Sequence, residues 1–178
     1  MIVAIGGPPG SGKTTAAELY ATTFQCALVS AGAIFREEAK TRGLSLEQFG
    51  VYAESHPEVD RSLDDAVIER ATSLARLREV VTDGRLQAAL FARRGIPALK
   101  VLVDAPLALR AERVSQRETI PVGEAHRQIL AREESERARY RRLYGVDAND
   151  RSHFDLVLDS SRLRPEEIVA AIRKKATA

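Results

Sequence analysis

The 178-residue chain contains no tryptophan, one cysteine and one methionine, and aromatic residues make up only 5% of it. The single cysteine, Cys26, excludes an internal disulfide and a cysteine-rich zinc cluster. No apolar run approaches the roughly 20 residues that a membrane-spanning helix needs. The first residues also lack the basic start and the long apolar stretch of a signal peptide. These absences predict a soluble, cytoplasmic protein, and the length predicts one domain.

The chain also has little net charge, because 27 basic residues oppose 25 acidic ones and leave +2. Of the 27, however, 22 are arginine, and the stretch 105–145 holds nine arginines against six glutamates. Arginine presents a planar fork that matches phosphate oxygens, so the excess could serve phosphate binding. Composition alone favours the simpler interpretation that these arginines lie on solvent-exposed faces of helices. The low net charge argues against a long polyanion as ligand and suits small phosphorylated molecules.

Short apolar runs alternate with helical patterns along the whole chain. The runs fall at 2–5, 26–29, 80–84, 99–104 and 154–159. Five strands separated by helices predict an α/β fold, with one parallel sheet covered by helices on both faces. We expect two helical insertions in this single domain (1–178), over about 31–78 and about 118–140.

A glycine-rich segment directly after the first strand matches the phosphate-loop pattern G-x-x-x-x-G-K-[ST] in full. Its glycines allow successive N–H groups to turn inward around an anion, and the following helix adds the positive end of its dipole. We expect Lys13 to bridge the β- and γ-phosphates of a nucleoside triphosphate and the Thr14 hydroxyl to ligate Mg²⁺. The predicted triphosphate-binding residues are Gly7, Pro8, Pro9, Gly10, Ser11, Gly12, Lys13, Thr14 and Thr15.

The remainder of the sequence favours phosphate transfer over hydrolysis or switching. It lacks the guanine-reading N-K-x-D pattern of GTPases, and no strand ends in the adjacent acids typical of hydrolysing ATPases. A kinase needs a second anion site, and Arg36 and Arg85 follow the second and third strands, at the same sheet edge as the phosphate loop. We expect both to grip an acceptor phosphate, with Asp83 holding Mg²⁺ through water.

Several segments, in this order, resemble the nucleoside monophosphate kinases of the adenylate kinase-like P-loop family. They are 7–15, Ser30-Ala31-Gly32 with Phe35-Arg36, Asp83-Gly84-Arg85-Leu86, Asp104-Ala105-Pro106-Leu107, and Arg132-Glu133-Glu134-Ser135-Glu136-Arg137 leading to Tyr144-Gly145. The last segment is similar to the compact cytidylate kinases of archaeal type, and the resemblance runs nearly end to end. It implies transfer of the γ-phosphate of ATP to CMP and dCMP, with Mg²⁺.

The resemblance also implies roles for arginines in the second half of the chain. The helix after the fourth strand would hold ATP through Arg110, Arg113 and Arg117. A lid over about 118–140 would bring further arginines to the transferring phosphate, and the candidates are Arg132, Arg137 and Arg139. With Lys13, Arg36 and Arg85, these three complete the predicted catalytic set. A closing lid of this kind fits a monomer.

One departure from the family concerns Ala33, where the family commonly has aspartate. We expect the next helix to lack a side-chain cap worth about 1 kcal/mol, or the activity to be altered.

Recognition of cytosine requires an acceptor for its amino group and donors for its carbonyl and ring nitrogen. Candidates in the first insertion and after the third strand are Asp60, Arg61, Asp64 and Gln87, although such residues are more often solvated. From these residues alone the base stays open, so an adenylate kinase or another small-molecule P-loop kinase is the nearest alternative.

A protein of another class would use ATP to gate RNA binding or regulation without transferring phosphate. The charged helix predicted over about 121–143 supplies six arginines, but glutamates interrupt any basic stripe, and aromatic stacking platforms are scarce. Nucleic acid is therefore the weaker expectation for a partner. Rapid ADP formation that depends on a monophosphate would exclude this class.

Overall fold

The structure, a computed structural model, describes residues 1–148 and 150–178. Within them five strands form one parallel sheet in the order β2-β3-β1-β4-β5. The strands are β1 (Ile2–Gly6), β2 (Ala27–Ser30), β3 (Val80–Asp83), β4 (Leu99–Asp104) and β5 (Leu156–Asp159). The predicted parallel α/β sheet is confirmed. Because the strand order reverses beside β1, the loop after β1 lies at the switch point where such sheets bind ligands.

Eight α-helices and one 3₁₀ turn (Arg151–His153) accompany the sheet in the described part of the chain. The helices are α1 (Lys13–Phe24), α2 (Ala31–Thr41), α3 (Leu46–Ser55), α4 (Pro57–Ala75), α5 (Gln87–Arg93), α6 (Leu107–Glu118), α7 (Val122–Tyr144) and α8 (Pro165–Ala176). No helix among them is long and apolar enough to cross a membrane.

Both faces of the sheet are covered, and β1 shows how. All five of its residues are buried, with Ile2 and Ala4 in one apolar cluster and Val3 and Ile5 in another. The first cluster includes buried side chains of α4 and α5, and the second includes those of α1 and α8. Successive side chains of a strand point to opposite faces. A strand covered on both faces therefore reads as a continuous apolar run.

The two predicted insertions have apolar clusters of their own. Between β2 and β3, α2, α3 and α4 enclose a cluster around Phe49 and Val59. Between β4 and β5, α6 and α7 enclose a second cluster that includes Val114 and Ile129. Most of the predicted lid falls within α7, a single helix of 23 residues. The division of the chain into core, insertion and lid stays a prediction.

The expectation that Ala33 deprives a helix of its cap is wrong. α2 begins at Ala31, and Ser30 is its N-cap. The Ser30 hydroxyl accepts a hydrogen bond from the Ala33 N–H at 3.2 Å. Ala33 therefore lies in the first turn of the helix, where its backbone receives the cap and its side chain is not needed for one.

Candidate active site

The loop between β1 and α1 is shaped to bind an anion. Gly12 is the N-cap of α1 in the left-handed conformation (φ 88°), and no described side chain caps this helix. The first N–H groups of α1 are thus left for a ligand, at the positive end of the helix dipole. At Gly10 (φ 79°) a Cβ would lie 2.6 Å from the carbonyl oxygen of Arg110. Glycine is therefore required there for the loop to pack against α6.

Arg110 supports this loop from beneath instead of facing the cleft. Its buried guanidinium donates to the carbonyl oxygens of Pro9 (3.1 Å) and Ala105 (3.0 Å) and forms an ion pair with Glu133 at 2.7 Å. All of these contacts are with the protein. The structure therefore places Arg110 as a positioning residue for the loop and does not bring it to the expected ATP contact.

A cleft beside the loop receives the other two arginines of α6. Arg113 donates to Ser160 Oγ at 2.9 Å and to the Ser160 carbonyl oxygen at 2.7 Å, whereas Arg117 is exposed and paired with Glu118. An apolar wall at the start of α8 completes this cleft, and the sequence motifs did not indicate it. The lining residues are Gly10, Gly12, Lys13, Thr14, Thr15, Arg113, Arg117, Ser160, Leu163, Pro165 and Ile168.

Lys13 lines the cleft beside the phosphate loop. It also lies within electrostatic reach of Arg85 and Arg132, which line a second pocket at the same sheet edge, here called the acceptor pocket. Burial lowers its pKa to about 8, with Asp83 opposing the shift and the positive charges of Arg132 and Arg85 adding to it. Its Nζ lies 3.5 Å from the Pro8 carbonyl oxygen. The Lys13 ammonium group therefore interacts electrostatically with Asp83 beside the phosphate loop and with Arg85 and Arg132 of the acceptor pocket.

The lowered pKa of Lys13 predicts that kcat/KM for ATP decreases at alkaline pH as this residue loses its proton. The ammonium is charged below about pH 8 and loses its charge as the pH rises above that value. We expect kcat/KM for ATP to fall about tenfold per pH unit on the alkaline side, because this ratio reports groups of the free enzyme. The profile is measured from pH 6 to 10 in the wild type and in Lys13→Arg, whose guanidinium stays protonated. A decrease that persists in Lys13→Arg would assign it to another group.

Asp83 connects the phosphate loop to the acceptor side. Its Oδ2 accepts hydrogen bonds from Thr14 Oγ1 (2.9 Å) and Ser30 Oγ (3.1 Å), while its buried Oδ1 has no hydrogen-bond partner among the described residues. These hard oxygen atoms suit Mg²⁺. In residues 1–148 and 150–178 no group of three or more His, Cys, Asp or Glu side chains forms a metal cage. An Mg²⁺ ion would therefore depend on Thr14, Asp83, water and phosphate oxygens.

On the acceptor side, a buried carboxylate from α7 joins two arginines. Glu136 Oε2 accepts from Arg85 Nε and Glu136 Oε1 accepts from Arg132 Nε, both at 2.8 Å. Burial opposes ionisation of Glu136, but the charges of Arg132 and Arg85 and the hydrogen bond from Arg132 lower its pKa to about 2. The sequence analysis included Glu136 in the segment 132–137 that resembles the family and among the glutamates that interrupt a basic stripe, but it assigned the residue no contact. Its spacing of four residues from Arg132 was the available signal.

Of the arginines predicted to be catalytic, Arg85 and Arg132 share Glu136, and Arg36 lies beside Gly32. Arg36 is exposed on α2, with its Nη1 3.3 Å from where a Gly32 Cβ would stand, and Gly32 lines the acceptor pocket. No hydrogen bond or ion pair joins the Arg36 guanidinium to another described residue. The group is therefore available to a ligand.

The other two lid candidates are placed differently from the prediction. Arg137 pairs with Glu134 along the surface of α7 and lines neither the cleft nor the acceptor pocket as described. Arg139 is buried, forms an ion pair with Asp60 at 3.0 Å and donates to the Gly50 carbonyl oxygen at 3.1 Å. It therefore belongs to the floor of the acceptor pocket and not to a lid over the phosphate loop.

Three of the four candidate base-recognition residues meet in this acceptor pocket. Asp60 and Gln87 are buried, contrary to the expectation that they are solvated, and Asp64 accepts a hydrogen bond from Tyr144 at 2.9 Å. Arg61 is exposed and lies outside the pocket. The pocket is lined by Ala31, Gly32, Phe35, Asp60, Asp64, Arg85, Leu86, Gln87, Arg132, Glu136, Arg139 and Tyr140.

A phosphate loop after β1 and an arginine-lined pocket lie at the same edge of the sheet, which gives the protein a P-loop nucleotide-binding fold. Solved structures share the fold. A shikimate kinase from Acinetobacter baumannii matches with a TM-score of 0.60 and 16% identity, over 99% of this chain and 92% of that one. A shikimate kinase from Aquifex aeolicus matches with a TM-score of 0.55 and 20% identity, over 99% and 96%. Identities this low show the fold alone.

Sequence comparisons show the family. The model of the cytidylate kinase-like family matches residues 2–162. A cytidylate kinase from Methanocaldococcus jannaschii is 43% identical over 163 residues, which are 91% of this chain and 89% of the relative. One from Pyrococcus abyssi is 42% identical over 173 residues, or 97% and 92%. The chain belongs to the cytidylate kinase-like family, and the resemblance recognised in its motifs is confirmed.

Proposed function

We propose that the protein transfers the γ-phosphate of ATP to cytidine monophosphate and releases CDP and ADP. The observation that carries the proposal is the meeting of two anion sites at one sheet edge. Lys13 of the phosphate loop lies within electrostatic reach of Arg85 and Arg132 of the acceptor pocket. The relatives at 42–43% identity that are named cytidylate kinases support the choice of acceptor.

ATP would occupy the cleft beside the phosphate loop. The N–H groups at the start of α1 and the Lys13 ammonium would bind the β- and γ-phosphates. Arg113 and Arg117 reach the same cleft and would stabilise the polyphosphate. The apolar wall of Leu163 and Ile168 offers a surface for the adenine base, because an aromatic ring packs well against aliphatic side chains.

Mg²⁺ would accompany the triphosphate, held by Thr14 directly and by Asp83 through water. When bound, the ion supplies charge neutralisation between β- and γ-phosphate oxygens. The unpartnered Asp83 Oδ1 would accept a hydrogen bond from a water of its shell.

The acceptor phosphate would be held by Arg36, Arg85 and Arg132. Phosphoryl transfer needs little covalent chemistry from the protein, so positioning and neutralisation of charge dominate. Arginine suits both, because its fork binds two phosphate oxygens and stays protonated. In this scheme the protein provides no general base. α7 would exclude water and so limit hydrolysis of ATP.

A coupled ADP-release assay with ATP and five separate acceptors tests the proposal. With CMP, dCMP, UMP, AMP and GMP, we expect CMP and dCMP to exceed the others in kcat/KM by at least about tenfold. A reaction without acceptor is the control. Equal background with all five would contradict the kinase assignment, and ADP formation without any monophosphate would favour a nucleotide-gated module. Monomeric state and cytoplasmic location stay predictions.

A further inference from the structure

The acceptor pocket contains polar atoms that the protein leaves without hydrogen bonds. Six buried side-chain polar atoms lack such partners in the part of the chain that the structure describes, and three belong to this pocket: Asp60 Oδ2, Gln87 Oε1 and Arg139 Nε. A desolvated donor or acceptor without a hydrogen bond is unfavourable. Asp60 Oδ2 and Arg139 Nε lie 3.0 Å apart and are paired by charge, so Gln87 Oε1 is the atom of this pocket that lacks any partner. A ligand that enters the pocket would meet this ion pair and the unpartnered Gln87 Oε1.

These three side chains come from different helices and are held in place. Asp60, Gln87 and Arg139 are 5%, 2% and 4% exposed, on α4, α5 and α7 respectively. Asp60 and Arg139 lie 3.0 Å apart, and Arg139 is anchored further by hydrogen bonds to the Gly50 carbonyl oxygen and Ser135 Oγ. The Gln87 carboxamide packs so closely on Gly84 that a Cβ there would lie 1.9 Å from Oε1.

We propose that the Asp60–Arg139 pair selects cytosine over uracil in the acceptor, an inference that rests on the proposed function. The pair presents a carboxylate, which only accepts hydrogen bonds, beside a guanidinium, which only donates them. Cytosine presents an amino donor next to the N3 and O2 acceptors and so complements the pair. Asp60 accepts from the amino group, and Arg139 donates to N3 and O2.

Uracil reverses donor and acceptor at positions 4 and 3 of the same edge, while its O2 remains an acceptor. Its O4 acceptor would face the Asp60 carboxylate, and its N3–H donor would face the Arg139 guanidinium. Both contacts are repulsive, and they would bury polar groups without partners, which is how a polar site discriminates strongly. Adenine shares the donor–acceptor order of cytosine, so UMP and not AMP is the diagnostic competitor.

Gln87 contributes in a different way, because its carboxamide can both accept and donate. Gln87 lines the same pocket, and its buried Oε1 has no hydrogen-bond partner among the described residues, so it would accept a second hydrogen from the ligand. The order of donors and acceptors is set by Asp60 and Arg139, so the test is directed at this pair.

The substitution Asp60→Asn tests the inference, because an amide can turn its donor toward O4 of uracil. We expect the ratio of kcat/KM for CMP to that for UMP to fall at least about tenfold, with KM for ATP unchanged. Asp65→Asn is the matched control, since Asp65 lies on the same helix but is exposed and paired with Arg94. It should leave the ratio within about twofold. An unchanged ratio in folded Asp60→Asn would overturn the inference.

A comparison of substrates on the wild-type enzyme decides the matter if Asp60→Asn does not fold. The probe is the ribonucleoside monophosphate of pyrimidin-2-one, which keeps N3 and O2 but lacks the amino group. We expect its kcat/KM to be at least about a hundredfold below that of CMP. Equal use of CMP, UMP and this analogue would overturn base selection while leaving phosphate transfer intact. Failure of every monophosphate to stimulate ADP formation would instead contradict the proposed function.

Discussion

Replacement of Lys13 by alanine is expected to lower kcat for phosphate transfer by about 10²- to 10³-fold, the range seen when one buried, preorganised charge partner of a transition state is removed. The substitution deletes the ammonium group that lies within reach of both anion sites. Because the transferring group carries charge throughout the reaction, this group acts on the transition state more than on the bound substrate. We therefore expect kcat to fall more than KM for CMP rises.

The measurement is steady-state ADP release at saturating ATP and CMP, with thermal unfolding recorded for each variant. Lys174→Ala is the matched control, because Lys174 is exposed on α8, away from the site. It should retain activity within about twofold. A loss of less than tenfold in Lys13→Ala would contradict the role assigned to Lys13.

Replacement of Glu136 by glutamine is expected to destabilise the fold by about 3 kcal/mol at pH 7. The shift of its pKa from 4.5 to about 2 corresponds to this order of free energy. Glutamine keeps the shape but leaves Arg85 and Arg132 next to Lys13 without their shared counter-charge. Removing one partner from a buried ionic network is among the costlier substitutions.

The pH dependence of this loss has a definite sign. Because folding depresses the pKa of Glu136, its stabilisation is complete above about pH 4.5 and disappears as the pH falls toward 2. Wild type and Glu136→Gln should therefore differ most near neutral pH and converge in acid. Urea unfolding followed by circular dichroism measures the difference, which suits a chain without tryptophan.

Glu134→Gln provides the control for this second prediction. Glu134 lies on the same helix, but its side chain is 71% exposed and pairs with Arg137 at the surface. Exposed ion pairs contribute little, so its loss should cost below about 1 kcal/mol. An equal loss of unfolding free energy in both variants would contradict the prediction that Glu136 stabilises the fold as the shared counter-charge of Arg85 and Arg132. Added CMP should stabilise Glu136→Gln more than wild type, because its phosphate replaces the missing charge.

One face of α7 connects the parts of the site. Glu133 contacts Arg110 beneath the phosphate loop, Glu136 holds the acceptor arginines, and Arg139 pairs with Asp60. Residues three apart lie on the same side of a helix, and these span about 9 Å along its axis. A single rigid element thus contacts the phosphate loop, the acceptor arginines and the floor of the acceptor pocket.

Patterns of neighbouring residues in the sequence predict those strands and helix ends whose stabilising contacts are themselves local in the chain. The apolar run at 2–5 was recognisable because β1 is buried on both faces. The capping box of Ser45 and Gln48 at the start of α3 is also of this kind, since both of its bonds join residues three apart in the chain. Ala33 shows the limit of such patterns, because Ser30 already performs the capping that a family comparison assigned to position 33.

By itself, the sequence determined the phosphate loop, the parallel α/β fold and the kinase family, because each depends on contiguous residues or on the regular alternation of strands and helices. Only the tertiary structure decided that Arg110 supports the loop, that Arg137 stays on the surface and that Arg139 joins Asp60 in the acceptor pocket. The physical reason is that an arginine's role depends on which carboxylate or carbonyl its guanidinium meets. The partners that decide the roles of Arg110 and Arg139, Pro9 and Asp60 respectively, lie tens of residues away along the chain.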